Sequence, residues 1–232
     1  MKHLSYRQFK DIFGDLGLTN WVRFNWLGWL YIDGTKLNVK EFQENYSLLE
    51  YVESDGTQYI DTVVVGTLAT AFKIKAKNKS ATQTKNLFGS RTSASSNAVT
   101  AFTDNVNPND LIVDFGSYTE TRLSGTVGTD IFEVYNSKNY RYINDTSSSD
   151  TYSSTIETPS NLLLFDCYQA PAANKWVGQV FYCKIYVSDV LKRYFIPAKR
   201  KSDNEVGMYD LANGVFYTNA GTGDFIAGDV IA

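Results

Sequence analysis

The chain is poor in the residues that most often catalyse hydrolysis or bind metals. It contains one histidine, His3, and two cysteines, Cys167 and Cys183, among 232 residues. A lone histidine leaves no usual general base for serine, cysteine or metal-assisted hydrolysis, and it excludes a histidine-rich zinc site. The two cysteines lack the CxxC spacing of zinc or redox motifs. No catalytic residue is therefore assigned from the sequence, and no metal ligands can be named.

The chain also lacks a basic excess and a long apolar run. Its net charge is −3, so the sequence lacks the excess of Lys and Arg that is typical of nucleic-acid-binding proteins. The most apolar window, Trp21 to Ile32, spans about twelve residues and contains Arg23 and Asn25, which makes it too short and too polar to cross a bilayer. The sequence thus predicts neither a nucleic-acid partner nor a membrane partner.

No apolar signal-peptide core follows Met1, so we expect synthesis in a reducing cytosol. The strands expected at 161–168 and 179–187 are predicted to be antiparallel neighbours, which would bring Cys167 near Cys183. Proximity alone does not make a disulfide, because its geometry is restrictive. Two buried free thiols are therefore the expectation.

Proline is scarce, with 4 residues, whereas aromatic residues make up 15% of the chain. That balance favours pleated, half-buried strands over helices or disorder. From Ser47 onward, short alternating segments are separated by turns rich in Gly, Asn, Asp and Ser, and Asn213-Gly214 is a strong hairpin signal. Strands are expected near 58–65, 69–77, 85–90, 98–103, 110–115, 118–123, 129–136, 138–144, 151–156 and 161–168, followed by a C-terminal series. This spacing predicts a sandwich or barrel of mainly antiparallel sheet.

Residues 1–46 differ from the rest and are expected to form an N-terminal anchoring segment. Apolar residues from Tyr6 to Leu16 recur every three to four positions, which predicts a short amphipathic helix capped by Ser5. The next stretch holds three of the four tryptophans, and so short a segment rarely buries such a cluster alone. It could pack against the sandwich, dock onto another protein, or stack on a sugar through Trp21, Trp26 and Trp29. The candidate docking residues are Trp21, Phe24, Trp26, Trp29 and Tyr31.

Three stretches carry a family resemblance: LLEYVESDGTQYIDT at Leu48 to Thr62, NLFGSRTS at Asn86 to Ser93, and the C-terminal run from Tyr182 to Gly228. They resemble concanavalin A-like, laminin-G-like jelly-roll modules of phage and prophage structural proteins of gut bacteria, of the crAss-like head-fibre or tail-associated type. The resemblance implies a mainly β, two-sheet antiparallel jelly roll over residues 47–232. It leaves residues 1–46 uncovered.

The resemblance further implies a non-enzymatic virion structural protein, displayed on the particle surface as a short head fibre or capsid decoration. Its expected partners are other virion proteins, reached through the N-terminal segment, and bacterial surface polysaccharide, with assembly as a dimer or trimer. One alternative is a lectin-like receptor-binding module of a tail fibre or baseplate. The third possible function is that of a polysaccharide depolymerase, but Glu50 and Glu133 lack the paired-carboxylate pattern that glycoside hydrolysis needs.

For glycan binding, the sequence offers the loop from Gln169 to Trp176, with Trp176 and Asn174 as candidate contacts. Trp176 could equally cap the sandwich core. No cofactor is expected. The resemblance leaves room for a structural calcium ion, since such modules often hold one at a loop rim, and acidic side chains are available at Asp104, Asp110, Asp114, Asp145 and Asp166.

Overall fold

The structure is a computed structural model that describes residues 4–13, 17–32, 35–80, 84–93, 96–104, 106–117, 121–169 and 174–231. Its helical elements are α1 (Tyr6–Phe13), α2 (Gly17–Val22), a π-helical turn (Arg23–Leu27) and α3 (Lys40–Asn45). The strands up to residue 116 are β1 (Trp29–Ile32), β2 (Thr35–Asn38), β3 (Tyr46–Leu48), β4 (Val52–Asp55), β5 (Ile60–Thr67), β6 (Thr70–Asn78), β7 (Asn86–Ser90), β8 (Ala98–Thr103) and β9 (Asp110–Gly116). The remaining strands are β10 (Arg122–Thr126), β11 (Ile131–Asn136), β12 (Arg141–Ile143), β13 (Thr146–Ser148), β14 (Glu157–Leu164), β15 (Val177–Val187), β16 (Val190–Arg200), β17 (Val206–Asp210), β18 (Val215–Tyr217) and β19 (Ile226–Ala227).

Two antiparallel sheets form a sandwich. The smaller sheet has the strand order β10-β9-β8-β7-β14-β5, and the larger has β13-β12-β11-β6-β15-β16-β17-β18. β4 and β19 extend the larger sheet beside β15, and β3 pairs with β16. Consecutive strands form hairpins, whereas the pairs β7–β14, β14–β5, β11–β6 and β6–β15 join strands far apart in sequence, as in a jelly roll. The prediction of a mainly β, two-sheet antiparallel jelly roll with a small N-terminal helical segment is confirmed.

The core between the sheets follows from the period-two alternation of the strands. In β6, Phe72, Ile74 and Ala76 are fully buried and face the smaller sheet, while the lysines between them point outward. Phe72 meets Phe88 of the smaller sheet with ring centroids 4.6 Å apart. The backbone of β7 approaches its neighbour so closely that a Cβ on Gly89 would lie 2.3 Å from the carbonyl oxygen of Val99.

The N-terminal segment packs on the outer face of the larger sheet and forms a second apolar cluster there. It contributes six buried side chains (Leu4, Phe9, Phe13, Phe24, Val39 and Phe42), and the sheet contributes Tyr182, Leu191, Tyr194, Ile196 and Tyr209 among others. The predicted helix is present as α1. Ser5 and Gln8 form a reciprocal capping pair. The backbone N–H of Gln8 donates to the Ser5 hydroxyl, and the backbone N–H of Ser5 donates to the side-chain oxygen of Gln8.

Most predicted strands are confirmed within a few residues, and three expectations need correction. No strand covers 151–156 among the described residues, and the strand expected at 118–123 runs from Arg122 to Thr126. β14 and β15 lie in different sheets, so they are not neighbours. Cys167 and Cys183 are both free and buried. The turn expected at Asp33-Gly34 lies outside the described residues.

Candidate functional site

Among the described residues, the N-terminal segment packs on side chains of β15, β16 and β17 on the outer face of the larger sheet. Beside that contact, the face presents polar and aromatic side chains of β6, β11, β12 and β15. Lys73 of β6 lies between Tyr135 of β11 on one side and Lys184 of β15 on the other, and Tyr135 pairs in turn with Tyr142 of β12. Since alternate residues of a strand share a face, these side chains lie next to one another on one surface.

A single carboxylate, Glu133, ties this face together. Its Oε1 accepts a hydrogen bond from the Tyr142 hydroxyl at 2.6 Å and lies 2.8 Å from the Lys73 ammonium. Its Oε2 accepts a hydrogen bond from the Tyr182 hydroxyl. One acidic side chain thereby fixes two rings and one lysine from three other strands, because hydrogen bonds to a charged acceptor are the strong ones.

These contacts fix the protonation states. Burial raises the pKa of Glu133, but the hydrogen bonds from Lys73, Tyr142 and Tyr182 outweigh it, so the pKa lies below its usual value. Burial, and then donation to Glu133, raises the pKa values of both tyrosines far above the ordinary value. The carboxylate is thus ionised at neutral pH and the phenols are protonated. Two protonated phenols held as donors serve as positioning groups, not as general bases.

Beside this network, three tyrosines form a continuous aromatic surface, the tyrosine platform. Tyr135 and Tyr142 stack with an interplanar angle of 15° and centroids 5.7 Å apart. Tyr140 lies 6.2 Å from Tyr135 and 6.1 Å from Tyr142, and 43% of its surface is exposed. Offset and tilted ring pairs of this kind are mutually stabilising. The platform therefore offers aromatic surface to solvent in a fixed arrangement.

Two residues of the platform, Tyr135 and Tyr140, form one wall of a cavity of about 430 Å³, the turn groove. Its other walls are the β5–β6, β11–β12 and β15–β16 turns, with Thr70, Ser137, Lys138, Asn139, Ser188 and Asp189 among the lining residues. The turns are well fixed. Ser188 and Asp189 have φ values of 52° and 61°, as a two-residue hairpin requires, and the Ser137 hydroxyl donates to the carbonyl of Tyr140 at 2.8 Å.

On its other side, the network borders a cavity of about 270 Å³ between α1 and the sheet, the lysine pocket. Its lining residues are Lys10, Phe13, Lys73, Lys75, Glu133, Tyr182, Lys184 and Tyr194. Lys184 is largely buried, and its ammonium lies 4.8 Å from the ring centroid of Tyr194. Such a contact is attractive because the ring face carries partial negative charge.

Comparison with known proteins finds similar folds but no matching family. No family model matches the chain, and no curated protein matches it. Among solved structures, it is similar to a protein of Bacteroides ovatus ATCC 8483 to which carbohydrate binding is attributed, with a TM-score of 0.54 at 11% identity over 80% of this chain and 62% of the other. The chain thus spans less than two thirds of that relative's length. It also matches domains LG4-5 of the mouse laminin alpha1 chain, with a TM-score of 0.40 at 10% identity over 80% of this chain and 46% of the other. At such identities the likeness concerns the fold alone, a two-sheet jelly roll.

The predicted glycan contacts do not lie at the tyrosine platform. Trp176 is fully buried and its ring lies 6.2 Å from that of Phe132, so the expectation of a sugar-stacking Trp176 is corrected in favour of a core residue. Asn174 is partly exposed, and its carbonyl accepts a hydrogen bond from the Asn86 side chain at 2.9 Å. That contact fixes the backbone of the loop and leaves the side chain as an untested candidate.

A third cavity, of about 390 Å³, lies next to Asn174 and is lined by Tyr59, Leu163, Asp166, Cys167, Tyr168, Gln169 and Lys175. The Lys175 ammonium lies 3.3 Å from Asp166, whose pKa is raised by burial. This cavity has aromatic and polar groups as well. Its described lining residues include two tyrosines but no packed group of three rings, so it is the weaker candidate for stacking on a sugar.

The predicted docking residues have mixed environments. Phe24 is 1% exposed and packs on Phe9 and Phe13, which corrects the expectation that it contacts a partner. Trp21 is half-buried and donates to the carbonyl of Leu4 at 2.7 Å. Trp29 is partly exposed, with the Arg23 guanidinium 4.7 Å from its ring centroid. The side chains of Trp26 and Tyr31 lie outside what the structure describes.

The acidic residues do not gather into a metal site in the part of the chain that is described. There, no three side chains of His, Cys, Asp or Glu lie close enough together to hold an ion. Asp114 makes a paired contact with Arg122, at 2.8 and 2.9 Å, and Asp110 accepts a hydrogen bond from Thr126. The described helices include none that is long and apolar enough to cross a bilayer.

Proposed function

We propose that this chain is a non-enzymatic carbohydrate-binding module that binds its ligand over the tyrosine platform and in the turn groove. The observation that carries the proposal is the packing of Tyr135, Tyr140 and Tyr142 into one aromatic surface at the wall of a polar groove. The apolar face of a sugar ring stacks on aromatic rings, and its hydroxyls bind to neighbouring hydroxyl, amide and carboxylate groups.

The rigidity of this face supports the proposal. The Tyr142 hydroxyl is held by Glu133, and the β11–β12 turn that carries Tyr140 is closed by the Ser137 hydroxyl. A preformed surface loses little conformational freedom when it binds, which matters for a ligand as polar as a sugar. The fold likeness to a protein with attributed carbohydrate binding is in keeping with this role but concerns the fold only.

The chemistry of the site argues against hydrolysis. Glycoside hydrolysis by the usual route needs two carboxyl groups on either side of the scissile bond, about 5 to 10 Å apart. Among the described lining residues, the lysine pocket contributes one carboxylate, Glu133, and the turn groove one, Asp189. Glu133 is ionised and already accepts two hydrogen bonds and one ion-pair contact. Such a group is suited to holding its neighbours in place rather than to donating a proton.

A glycan array of bacterial capsular and surface polysaccharides tests the proposal, followed by titration of any hit. Tyr140→Ala removes the most exposed ring of the platform and should weaken binding about tenfold or more, equivalent to about 1.4 kcal/mol. Tyr168→Ala is the matched control, because Tyr168 is 38% exposed and lies at the third cavity. Loss of binding in Tyr168→Ala alone would move the site to that cavity. Silence of the wild-type protein across the array would count against carbohydrate binding.

The setting we propose is the surface of a phage particle that infects gut bacteria, as a short head fibre or capsid decoration. This part of the proposal rests on the sequence resemblance of the C-terminal run, with a tail-fibre or baseplate adhesin as the alternative. Localisation on intact particles by labelled imaging tests it, since a position on the head, on the tail or on neither separates the cases. Light scattering of the purified chain measures whether it forms the expected dimer or trimer.

A further inference from the structure

We infer that the glycan bound in the turn groove carries an acetyl substituent, as an N-acetyl amide or an O-acetyl ester, whose methyl group lies on an apolar part of the groove. The inference rests on the proposed function, because it names a chemical group of the ligand for the same site. It follows from the small apolar residues that line the groove beside its polar ones.

One part of the turn groove is apolar. Leu68 and Ala69 of the β5–β6 turn and Ala71 of β6 line it, and these three residues are called the groove floor. Ala69 is exposed, Leu68 is partly buried against the core, and Ala71 is 7% exposed. Sugar hydroxyls gain nothing from such a surface, whereas a methyl group gains by leaving water. The floor therefore favours a ligand that carries a small apolar substituent.

The groove has room above its floor because residue 71 is small. Phe72, Ile74 and Ala76 of β6 face the core, so the odd-numbered positions face outward, and the other three in the strand are lysines. Ala71 pairs with Tyr186 of β15, while Tyr135 of β11 pairs with residue 73, two positions further along. A longer side chain at position 71 would extend beside Tyr135 and fill this end of the groove.

Hydrogen bonds between and within the turns hold the floor in place. The backbone N–H of Ser188 donates to the carbonyl of Ala69 at 2.9 Å, which joins the β15–β16 turn to the β5–β6 turn. Within the latter, the backbone N–H of Thr67 donates to the Thr70 hydroxyl at 2.8 Å. A floor that is formed before the ligand arrives loses little conformational freedom on binding, so even one methyl group can contribute measurably.

Polar groups lie in the same groove. Lys138, Asn139 and Asp189 line it, and the Asn139 amide and the Lys138 ammonium can donate to a carbonyl oxygen. The groove volume of about 430 Å³ lies within the range of about 300 to 1,000 Å³ that is usual for a small-molecule site. An acetyl group is small and uncharged, and it joins one methyl group to one carbonyl. It therefore fits an apolar floor with hydrogen-bond donors beside it.

The experiment compares acetylated glycans with derivatives that lack the methyl group. Chito-oligosaccharides are paired with their N-formyl forms, which keep a neutral amide, and O-acetylated capsular polysaccharides with their alkali-treated, de-O-acetylated forms. We expect the acetylated member of at least one pair to bind about tenfold more tightly, the lower end of what one methyl group contributes in an apolar pocket. The pair that shows the difference identifies the amide or the ester. Equal binding within every pair would overturn the acetyl group while leaving carbohydrate binding intact, whereas binding of no probe would count against the proposed function itself.

Variants locate the effect. Ala71→Val fills the floor with a residue that suits a strand, and it should weaken binding of the acetylated member about tenfold while leaving the other member unchanged. Ala69→Asn places an amide on the floor at an exposed turn position, so it keeps the test decisive if Ala71→Val does not fold, and it should lower only the acetylated member's affinity, about threefold. Ala220→Asn is its matched control, because Ala220 is exposed in another turn and lines none of the three cavities. Tyr140→Ala should weaken both members alike. A loss shared equally by both members in the floor variants, or a loss in Ala220→Asn as large as that in Ala69→Asn, would contradict the role of the floor.

Discussion

The hydroxyl of Tyr142 donates a 2.6 Å hydrogen bond to Glu133, one strand away on the outer face of the larger sheet. The contact links a residue of the aromatic platform to the carboxylate that also holds Lys73. It shows why an acidic side chain lies beside lysines on this surface: Glu133 holds groups from three other strands in place. Several consequences of this arrangement can be measured.

Replacement of Glu133 by glutamine should weaken both the fold and the platform. Glutamine is neutral, so Lys73 loses its counter-ion, and the two tyrosine hydroxyls lose a charged acceptor. Because hydrogen bonds to charged groups contribute about 1.5 to 3 kcal/mol, we expect a loss of about 2 kcal/mol in the free energy of unfolding. Chemical denaturation measures this loss, and titration with a glycan hit should show weaker binding.

Glu157→Gln is the control for that experiment. Glu157 is an exposed glutamate on β14, in the other sheet. A loss of stability no larger in Glu133→Gln than in Glu157→Gln would contradict the positioning role. Tyr142→Phe should lose less binding than Glu133→Gln does, because it removes one contact of Glu133 and keeps those with Tyr182 and Lys73.

The lowered pKa of Glu133 predicts how its contribution depends on pH. Its carboxyl has a lower pKa in the folded state than its ordinary value of 4.5, so the folded state favours the ionised form. The stabilisation is therefore present above that ordinary value and is lost as the pH falls through the folded-state pKa. The stability difference between wild type and Glu133→Gln should be largest near pH 7 and should shrink below about pH 4.5. Denaturation of both proteins from pH 7 to 3 measures it, and a constant difference would contradict the assignment.

The two thiols should be inert in the folded protein. Burial raises the pKa of Cys167 to about 12 and that of Cys183 well above its ordinary value. Since the thiolate is the reactive form, a thiol-specific disulfide reagent at pH 8 should label neither residue until denaturant is added, and then both. Labelling of native Cys167 at the rate of a free thiol would show that the loop beside it opens.

Much of the fold can be predicted from the sequence because strand alternation is a local property. Lys73, Lys75 and Lys77 alternate with Phe72, Ile74 and Ala76, and the resulting strand lies where the pattern places it. Pairing partners are not local. β14 and β15 follow each other along the chain but belong to different sheets, and nothing in their alternation indicates this.

Most residues of the candidate site cannot be predicted from the sequence, because strand pairing brings them together. Tyr140 and Tyr142 alternate on the sequence and Tyr135 precedes them, which is a signal of a shared face, but Lys73 and Lys184 join that face only through sheet pairing. Trp176 shows the opposite error. Its residue type suggested a sugar contact, whereas its burial against Phe132 depends on the packing of two distant segments.

Gly89 should be the least replaceable glycine of the smaller sheet. Its φ is 140°, and an added Cβ would lie 2.3 Å from the carbonyl oxygen of Val99 and 2.9 Å from Cα of Thr100, both backbone atoms. Gly89→Ala should therefore destabilise the fold by about 3 kcal/mol or more, from strain and strand displacement together. Gly128→Ala is the control, with φ at 54° and no atom within 4 Å, and should lose about 1 kcal/mol. Thermal unfolding measures both, and equal losses would contradict the close approach at Gly89.

The N-terminal segment should behave as part of the folded unit, because it covers apolar surface that the sheet cannot leave exposed. Phe13 is 3% exposed and meets Tyr194 edge-on at 6.3 Å, so Phe13→Ala should lower the free energy of unfolding by about 3 kcal/mol. Arg7→Ala, an exposed position on the same helix, should change it by less than about 0.5 kcal/mol.

Deletion of residues 1–46 tests the same point on a larger scale. The deletion uncovers Tyr182, Leu191, Tyr194, Ile196 and Tyr209 together. A contiguous apolar surface of this kind promotes self-association, so the truncated protein should bind a hydrophobic dye, unfold at a lower temperature and aggregate as its concentration rises. A truncated chain that remains monomeric, with unchanged thermal unfolding, would show that the segment is a separable anchor and that its contact with the sheet contributes little.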